Sequence, residues 1–389
     1  MNRLVIKNFK HMAGSNCQLS SLRKVLAHYN INLSEPMILG LSSGLGFFYF
    51  YMKRMPFPMI LGLSVKKTEL FERILNRLGG SIKVTETSSI NTAHNNLVNL
   101  LGKGQPAITF VDFAYCPFFF AEGVEIPNEK VGHFGGHTFV TYGINEEIDE
   151  ANISDRFAKP FIISYEILKA ARSSPYAPFA AKNKLVELII PKKIKSIKDI
   201  IPEAIKSNIT FMYNPPIKNM GLPGFQKWLN MLPTWGKDFN ANDLLFGLVM
   251  NFIYLETGGT GGAMFRILYK KFLEEASEIL HNEKLLNTSE QLTSVINQIK
   301  KIGEILLPDD LPNMKSLRES YLKANKIQEN GNNDYQKQLK IIDTQIKKAL
   351  NGAKDEVEDW KKKIPKLKSA IQNWYKLEFK VWETIKRSI

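Results

Sequence analysis

Ser15-Asn16-Cys17-Gln18-Leu19-Ser20-Ser21-Leu22-Arg23-Lys24-Val25-Leu26-Ala27-His28-Tyr29 reads as a loop that turns directly into an amphipathic helix, with a cysteine in its first turn. Ser15 and Asn16 are good N-cap residues, because their side chains accept from the unpaired N–H groups of a first helical turn. Leu19, Leu22, Val25, Leu26 and Tyr29 recur at helical spacing and supply a face to bury. Cys17 then stands in the partial positive field of a helix N-terminus, which favours thiolate over thiol and is one way to make a nucleophile. The same stretch also fits a small cysteine packed at a helix start, since free cysteine is among the most buried residue types.

Around this helix the chain has room for more than one core. Its 389 residues suggest two domains with a helical appendage, and 44% hydrophobic residues are enough to fill them. Two cysteines, Cys17 and Cys116, cannot make a disulfide framework and point to a reducing compartment. No metal is expected: there is no CxxC, and His133 and His137 lie four apart in a Gly-rich stretch rather than on a helix. The apolar run at Met1–Lys7 is too brief for a signal peptide. Residues 36–52 are interrupted by glycines and 244–255 are too few to span a bilayer. The protein is therefore read as cytoplasmic, without a membrane partner. A formal charge of +14 suits an acidic partner. Without a zinc finger, RRM or helix-turn-helix pattern, nucleic acid is not expected, and the charge by itself leaves an acidic carrier protein open as a partner.

Taken in order, the sequence predicts a short opening strand at Met1–Lys7, the Cys17 helix, and a glycine-rich packed segment over 39–51. A helix follows over 68–78, a strand over 81–85, a helix over 91–101 and a strand over 105–112. An aromatic loop spans Phe113 to Lys130. Strands then open at His137 and close on Asp155, with a helix over 164–172 and a strand over 184–190. From Ile197 the pattern turns helical, including a long helix over 263–281. Beyond Pro308 it is Lys-rich, with Leu339, Ile342, Ile346, Leu350, Ala353, Val357 and Trp360 at the spacing of a helical hairpin. The expected division is 1–195, a mainly helical 196–305, and a helical extension 306–389.

Cys17, His137 and Asp155 can form a nucleophile, a base and an orienting acid. Spacing alone fits many such triples. The residues around them add more. Asn16-Cys17, Ser20-Ser21-Leu22-Arg23, Leu33-Ser34-Glu35, Leu41-Ser42-Ser43-Gly44-Leu45-Gly46-Phe47 and His133-Phe134-Gly135-Gly136-His137-Thr138-Phe139-Val140 with Asp155 resemble the N-terminal domain of the butirosin BtrH-type acyltransferases. Asn214-Pro215-Pro216, Trp228, Trp235 and Glu256-Thr257-Gly258-Gly259-Thr260-Gly261-Gly262 through Phe265-Arg266 resemble the domain that accompanies it. The resemblance covers roughly residues 1–305.

It implies an α+β chain with a papain-like, C39-peptidase-like N-terminal domain and a largely helical second domain, to which the periodicity beyond Pro308 adds a C-terminal helical hairpin. It also implies a cysteine that takes an acyl group from the phosphopantetheine arm of a carrier protein and passes it to an amine, with no bound cofactor. In that reading Cys17 is nucleophile, His137 general base and Asp155 orienting acid. Papain-like enzymes place a glutamine about six residues before the cysteine, and here His11 stands there. The oxyanion hole is then expected from the Cys17 N–H with His11, Asn16 or Gln18, since losing one donor costs about 2.7–4 kcal/mol. Asp112, His133, Phe47 and Glu256 are substrate-binding candidates, each with a packing or turn role as the alternative. Glu256 and Arg266 are also expected to pair with one another. A cysteine peptidase on the same fold and a non-catalytic scaffold are the competing readings.

Overall fold

The Cys17 helix forms where its capping signals place it. In the computed structural model, which describes residues 3–52, 55–64, 68–124, 132–177, 179–331 and 333–389, it runs Cys17–His28. Asn16 is the N-cap, and its side chain accepts from the N–H groups of Gln18 and Leu19. Asn30, at φ 60°, turns the chain out of the helix in the left-handed conformation that asparagine tolerates. Residues 125–130 of the expected aromatic loop and Met1-Asn2 of the expected first strand lie outside the described residues.

The chain divides into two units, neither continuous in sequence. The strands, in chain order, are β1 Arg3–Val5, β2 Leu45–Phe50, β3 Met59–Leu63, β4 Ser81–Thr85, β5 Ala107–Val111, β6 His137–Asn145, β7 Glu150–Ser154, β8 Phe161–Ser164 and β9 Leu185–Ile189. One unit comprises Met1–Ile38, Lys67–Lys195 and Lys326–Lys340. Its seven-stranded sheet has the order β4-β9-β5-β6-β7-β8, and β1 pairs with the part of β6 that β5 leaves open. All these pairings are antiparallel. Every residue of β5 is buried, with the Cys17 helix and the helix Tyr165–Ser173 packed against it. That explains why Ala-Ile-Thr-Phe-Val does not alternate and is apolar apart from Thr109, whose hydroxyl pairs with that of Thr141 at 3.0 Å.

The other unit comprises Leu39–Lys66, Ser196–Asn325 and Ile341–Ile389 and is helical around the β2-β3 hairpin. Residues 45–50 form a strand there, not the featureless packed segment that their glycines suggested. Phe47, Phe225, Trp228 and Trp374 stack within this core, with the Phe47 and Phe225 centroids 3.8 Å apart. The helix expected over 263–281 begins only at Arg266. Ala263, Met264 and Phe265 instead take left-handed φ of 45°, 48° and 68°, a costly turn held by the Arg266 guanidinium, which donates to the Met264 carbonyl at 2.9 Å. Arg266 pairs not with Glu256 but with Glu378, at 2.9 Å, both wholly buried. The fold is α+β.

The last eighty residues are structural in both units. Helix Ile364–Ser388 buries Trp374, Trp382 and Glu378 in the helical unit. In the sheet unit, Tyr335 Oη donates to the Phe118 carbonyl at 2.9 Å, and Gln336 Nε2 to those of Pro117 and Phe120. Ending the chain at Pro308 is therefore expected to abolish soluble folded protein, measured as yield and cooperative melting. A well-folded 1–308 fragment would contradict this.

Candidate active site

Strand pairing brings the second and third residues of the triple together. Val140 of β6 is the register partner of Ser154 of β7. His137 opens β6 and Asp155 directly follows β7, so both sit at the same end of neighbouring strands. His137 Nε2 lies 2.6 Å from Asp155 Oδ2, and the other carboxylate oxygen accepts from the Arg156 N–H at 2.6 Å. The Cys17 helix packs across β6, which brings the half-buried Cys17 thiol within electrostatic reach of the His137 ring. Phe119 and Phe113 stand edge-on to that ring at 5.0 and 5.8 Å, an apolar wall from the aromatic loop.

The electrostatics favour the ionised pair. Burial works against a Cys17 thiolate, but the charge and hydrogen bond of His137, with the Thr138 N–H, outweigh it and set the thiol below its ordinary value. Burial likewise opposes an imidazolium, yet Asp155 and Cys17 push His137 up to about 10. Asp155 is held below the usual carboxylate range against its burial, chiefly by His137 and then by Lys24. Cys116 has the opposite environment: burial pushes its thiol well up, so only Cys17 has nucleophile character.

The oxyanion-hole candidates separate clearly. His11 Nε2 donates to the Phe157 carbonyl at 2.9 Å, so its Nδ1 accepts from the Ser154 hydroxyl at 2.7 Å. Both nitrogens are committed, and burial keeps the ring neutral by lowering its pKa. Asn16 uses its side-chain oxygen on the helix cap. Gln18 is half-exposed. The Gln18 and Leu19 N–H groups are capped by Asn16 Oδ1 and that of Ser20 by the Asn16 carbonyl. Among the described residues this leaves the Cys17 N–H as the open donor of the first turn.

The loop before Cys17 is held from below. Glu35 Oε2 accepts from the Ser15 N–H at 2.8 Å and Oε1 from that of Asn16 at 3.4 Å. Gly14 is needed there, because a Cβ would stand 2.5 Å from Glu35 Oε1 and 2.7 Å from the Ser20 side chain.

The substrate-binding candidates have partners of their own. Asp112 and His133 do meet, at 2.7 Å, but Asp112 also accepts from Ser174, Phe134 and Ala114, and His133 stacks on Tyr176. Among the described residues no hydrogen bond joins this network to Cys17 or His137. Phe47 is a fully buried core residue of the helical unit. Glu256, in the same unit, accepts from the Ala263 N–H and closes the glycine-rich turn.

Lys24 was not among the sequence candidates. It is 1% exposed, and its ammonium donates to the backbone carbonyls of Asp155 and Ser154 at 2.5 and 3.3 Å. Its signal was a second helical stripe, Cys17, Ser20, Ser21 and Lys24, which is buried as deeply below the cysteine as the leucine face.

Residues 16–156 match the family described as butirosin biosynthesis protein H, N-terminal, and residues 166–329 match a domain of unknown function (DUF4872). Over the first of these stretches the chain is similar to the N-terminal domain of butirosin biosynthesis protein H. No curated protein matches it. The butirosin H-type match begins at the N-cap of the Cys17 helix and ends one residue past Asp155, enclosing all three residues of the triple. It also runs through 39–66, which fold with the helical unit, so family boundary and structural boundary differ. Among the described residues, no cluster of His, Cys, Asp or Glu could hold a metal ion, and no helix is long and apolar enough to cross a membrane.

Proposed function

We propose that this butirosin H-type protein is a biosynthetic acyltransferase that forms amides through a Cys17 acyl-enzyme on a papain-like, C39-peptidase-like domain. The observation that carries the reading is His137, 2.6 Å from the Asp155 carboxylate and coupled to Cys17, which starts a helix. The family name adds the setting, antibiotic-type biosynthesis.

In the proposed reaction the Cys17 thiolate attacks the carbonyl carbon of a carrier-bound thioester. The oxyanion forms against the Cys17 N–H, with the Gln18 side chain as a second donor. The carbonyl–sulfur bond to the phosphopantetheine arm breaks, and its thiol leaves with the proton from His137. The amine then attacks the acyl-enzyme, His137 takes the amine proton, and Cys17 departs as thiolate. The sequence is redox-neutral and needs no ATP, because aminolysis of a thioester is downhill. The formal charge of +14 suits an acidic carrier protein as donor.

Intact-protein mass spectrometry tests this. Exposure to a simple acyl thioester is expected to add one acyl mass, mapped to Cys17 by peptide digestion. Adding an amine should remove it with formation of amide. Cleavage of peptides without any thioester adduct would establish the peptidase instead, and neither signal would favour the scaffold.

A further inference from the structure

Lys24 is a charged residue buried where no solvent can pay for its hydration, and nothing in the reaction above uses it. It lies on the same face of the helix as Cys17, two turns further along, so one rigid rod carries both the nucleophile and an ammonium. That ammonium reaches across to the end of β7 and donates to the carbonyls of Ser154 and Asp155. These are the residues that present the acid to His137. A lysine is an expensive way to satisfy carbonyls, since burying an ammonium costs several kcal/mol unless opposite charge compensates it. The compensation here is the site itself. The thiolate, imidazolium and Asp155 carboxylate sum to one net negative charge in a buried place, and Lys24 cancels it.

We propose that Lys24 is a positioning residue of the active site, which ties the Cys17 helix to the Asp155 strand end and supplies the cation that keeps Asp155 and Cys17 ionised together. The proposal rests on Cys17 being the nucleophile. Around the ammonium stand Asp155 and His11 from the sheet side, Glu35 from the following helix, and Arg23 and Cys17 from its own. Burial pulls Lys24 down to about 8, with Asp155, Glu35 and Cys17 supporting its charge and Arg23 opposing it. It therefore remains charged through the neutral range in which the thiolate must form.

The sign follows from Coulomb's law. Removing a cation from beside two anions raises the pKa of both, so less thiolate exists at a given pH. The test is the pH dependence of Cys17 alkylation by iodoacetamide, with the fold checked by circular dichroism. Cys116 is buried and does not compete. The wild-type acid limb is expected below the ordinary thiol value of 9.0. In Lys24→Met it should move up by about one pH unit, giving roughly tenfold slower alkylation at pH values below both limbs. Lys24→Gln keeps a donor but no charge and should behave likewise, whereas Lys24→Arg should restore the wild-type limb. If Lys24→Met does not fold, the Gln and Arg variants decide the matter. A folded uncharged variant with an unmoved limb overturns the proposal, and so does uniform slowing at all pH. A wild-type limb at 9.0 would instead remove the nucleophile reading beneath it.

Discussion

Replacing Cys17 by alanine is expected to lower amide formation by about 10⁴- to 10⁶-fold, and adding His137→Ala to that variant should cost almost nothing more. The reason is that the pair acts as a unit. A thiolate without its imidazolium, or an imidazole without a sulfur to serve, loses nearly the whole of covalent catalysis, so the effects do not add. Residual rate would come from binding and from the Cys17 N–H, which a side-chain change leaves in place. Asp155→Asn should be milder, about 10³- to 10⁴-fold, because it preserves the shape of the site but no longer stabilises the imidazolium. Asp155 is 1% exposed and His137 5%, so bulk water cannot replace what the carboxylate supplies. Single-turnover rates with an acyl thioester and an amine would measure this. Additive losses in the double variant would show that Cys17 and His137 work independently, and would end the acyl-enzyme reading.

Glu378→Ala should destabilise the helical unit by about 3–5 kcal/mol, the cost of leaving one partner of a buried ion pair uncompensated. Its carboxylate accepts from Arg266 through both oxygens, at 2.9 and 3.2 Å, and from the indole N–H groups of Trp374 and Trp382 at 2.9 and 3.1 Å. Alanine would strand a guanidinium and two indole donors where no water reaches them. Replacing both partners by apolar residues, Arg266→Met with Glu378→Met, should cost much less than Glu378→Ala alone, since the stranded charge is gone. The five tryptophans, Trp228, Trp235, Trp360, Trp374 and Trp382, are all buried in this unit, so their fluorescence reports its unfolding separately from the sheet unit. A loss under about 1 kcal/mol for Glu378→Ala in urea titrations would refute the uncompensated-charge account.

Much of the site was legible because its signals are local. An Asn cap, a cysteine in the first turn and leucines at helical spacing are properties of a dozen neighbouring residues. The same holds for β5 and β6, whose strand formers and flanking Pro106 and Gly136 announce them. The misread parts depended on distant partners. Residues 45–50 look like packed glycine-rich chain because the aromatic rings that cover the strand, from residue 225 onward, are far off in sequence, although its hairpin partner, residues 59–63, follows closely. Glu256 lies only ten positions from Arg266, yet the carboxylate that Arg266 pairs with is 112 positions away. His11 was weighed for the oxyanion hole by its distance from Cys17 along the chain. In space it turns to Ser154 and Phe157.

By itself the sequence determined the Cys17 helix, its cap, the place of Cys17 in the positive field of a helix start, and the mix of helices and strands. Capping, periodicity and strand propensity act over one or two turns, so they survive without tertiary context. Only the tertiary structure decided that Lys24 lies under the site, that Phe47 and Glu256 serve the helical unit, and that the last eighty residues complete both units. Those outcomes turn on which buried charge finds which partner across 100 or more residues, and burial energies depend on what fills the space around a group rather than on its neighbours along the chain.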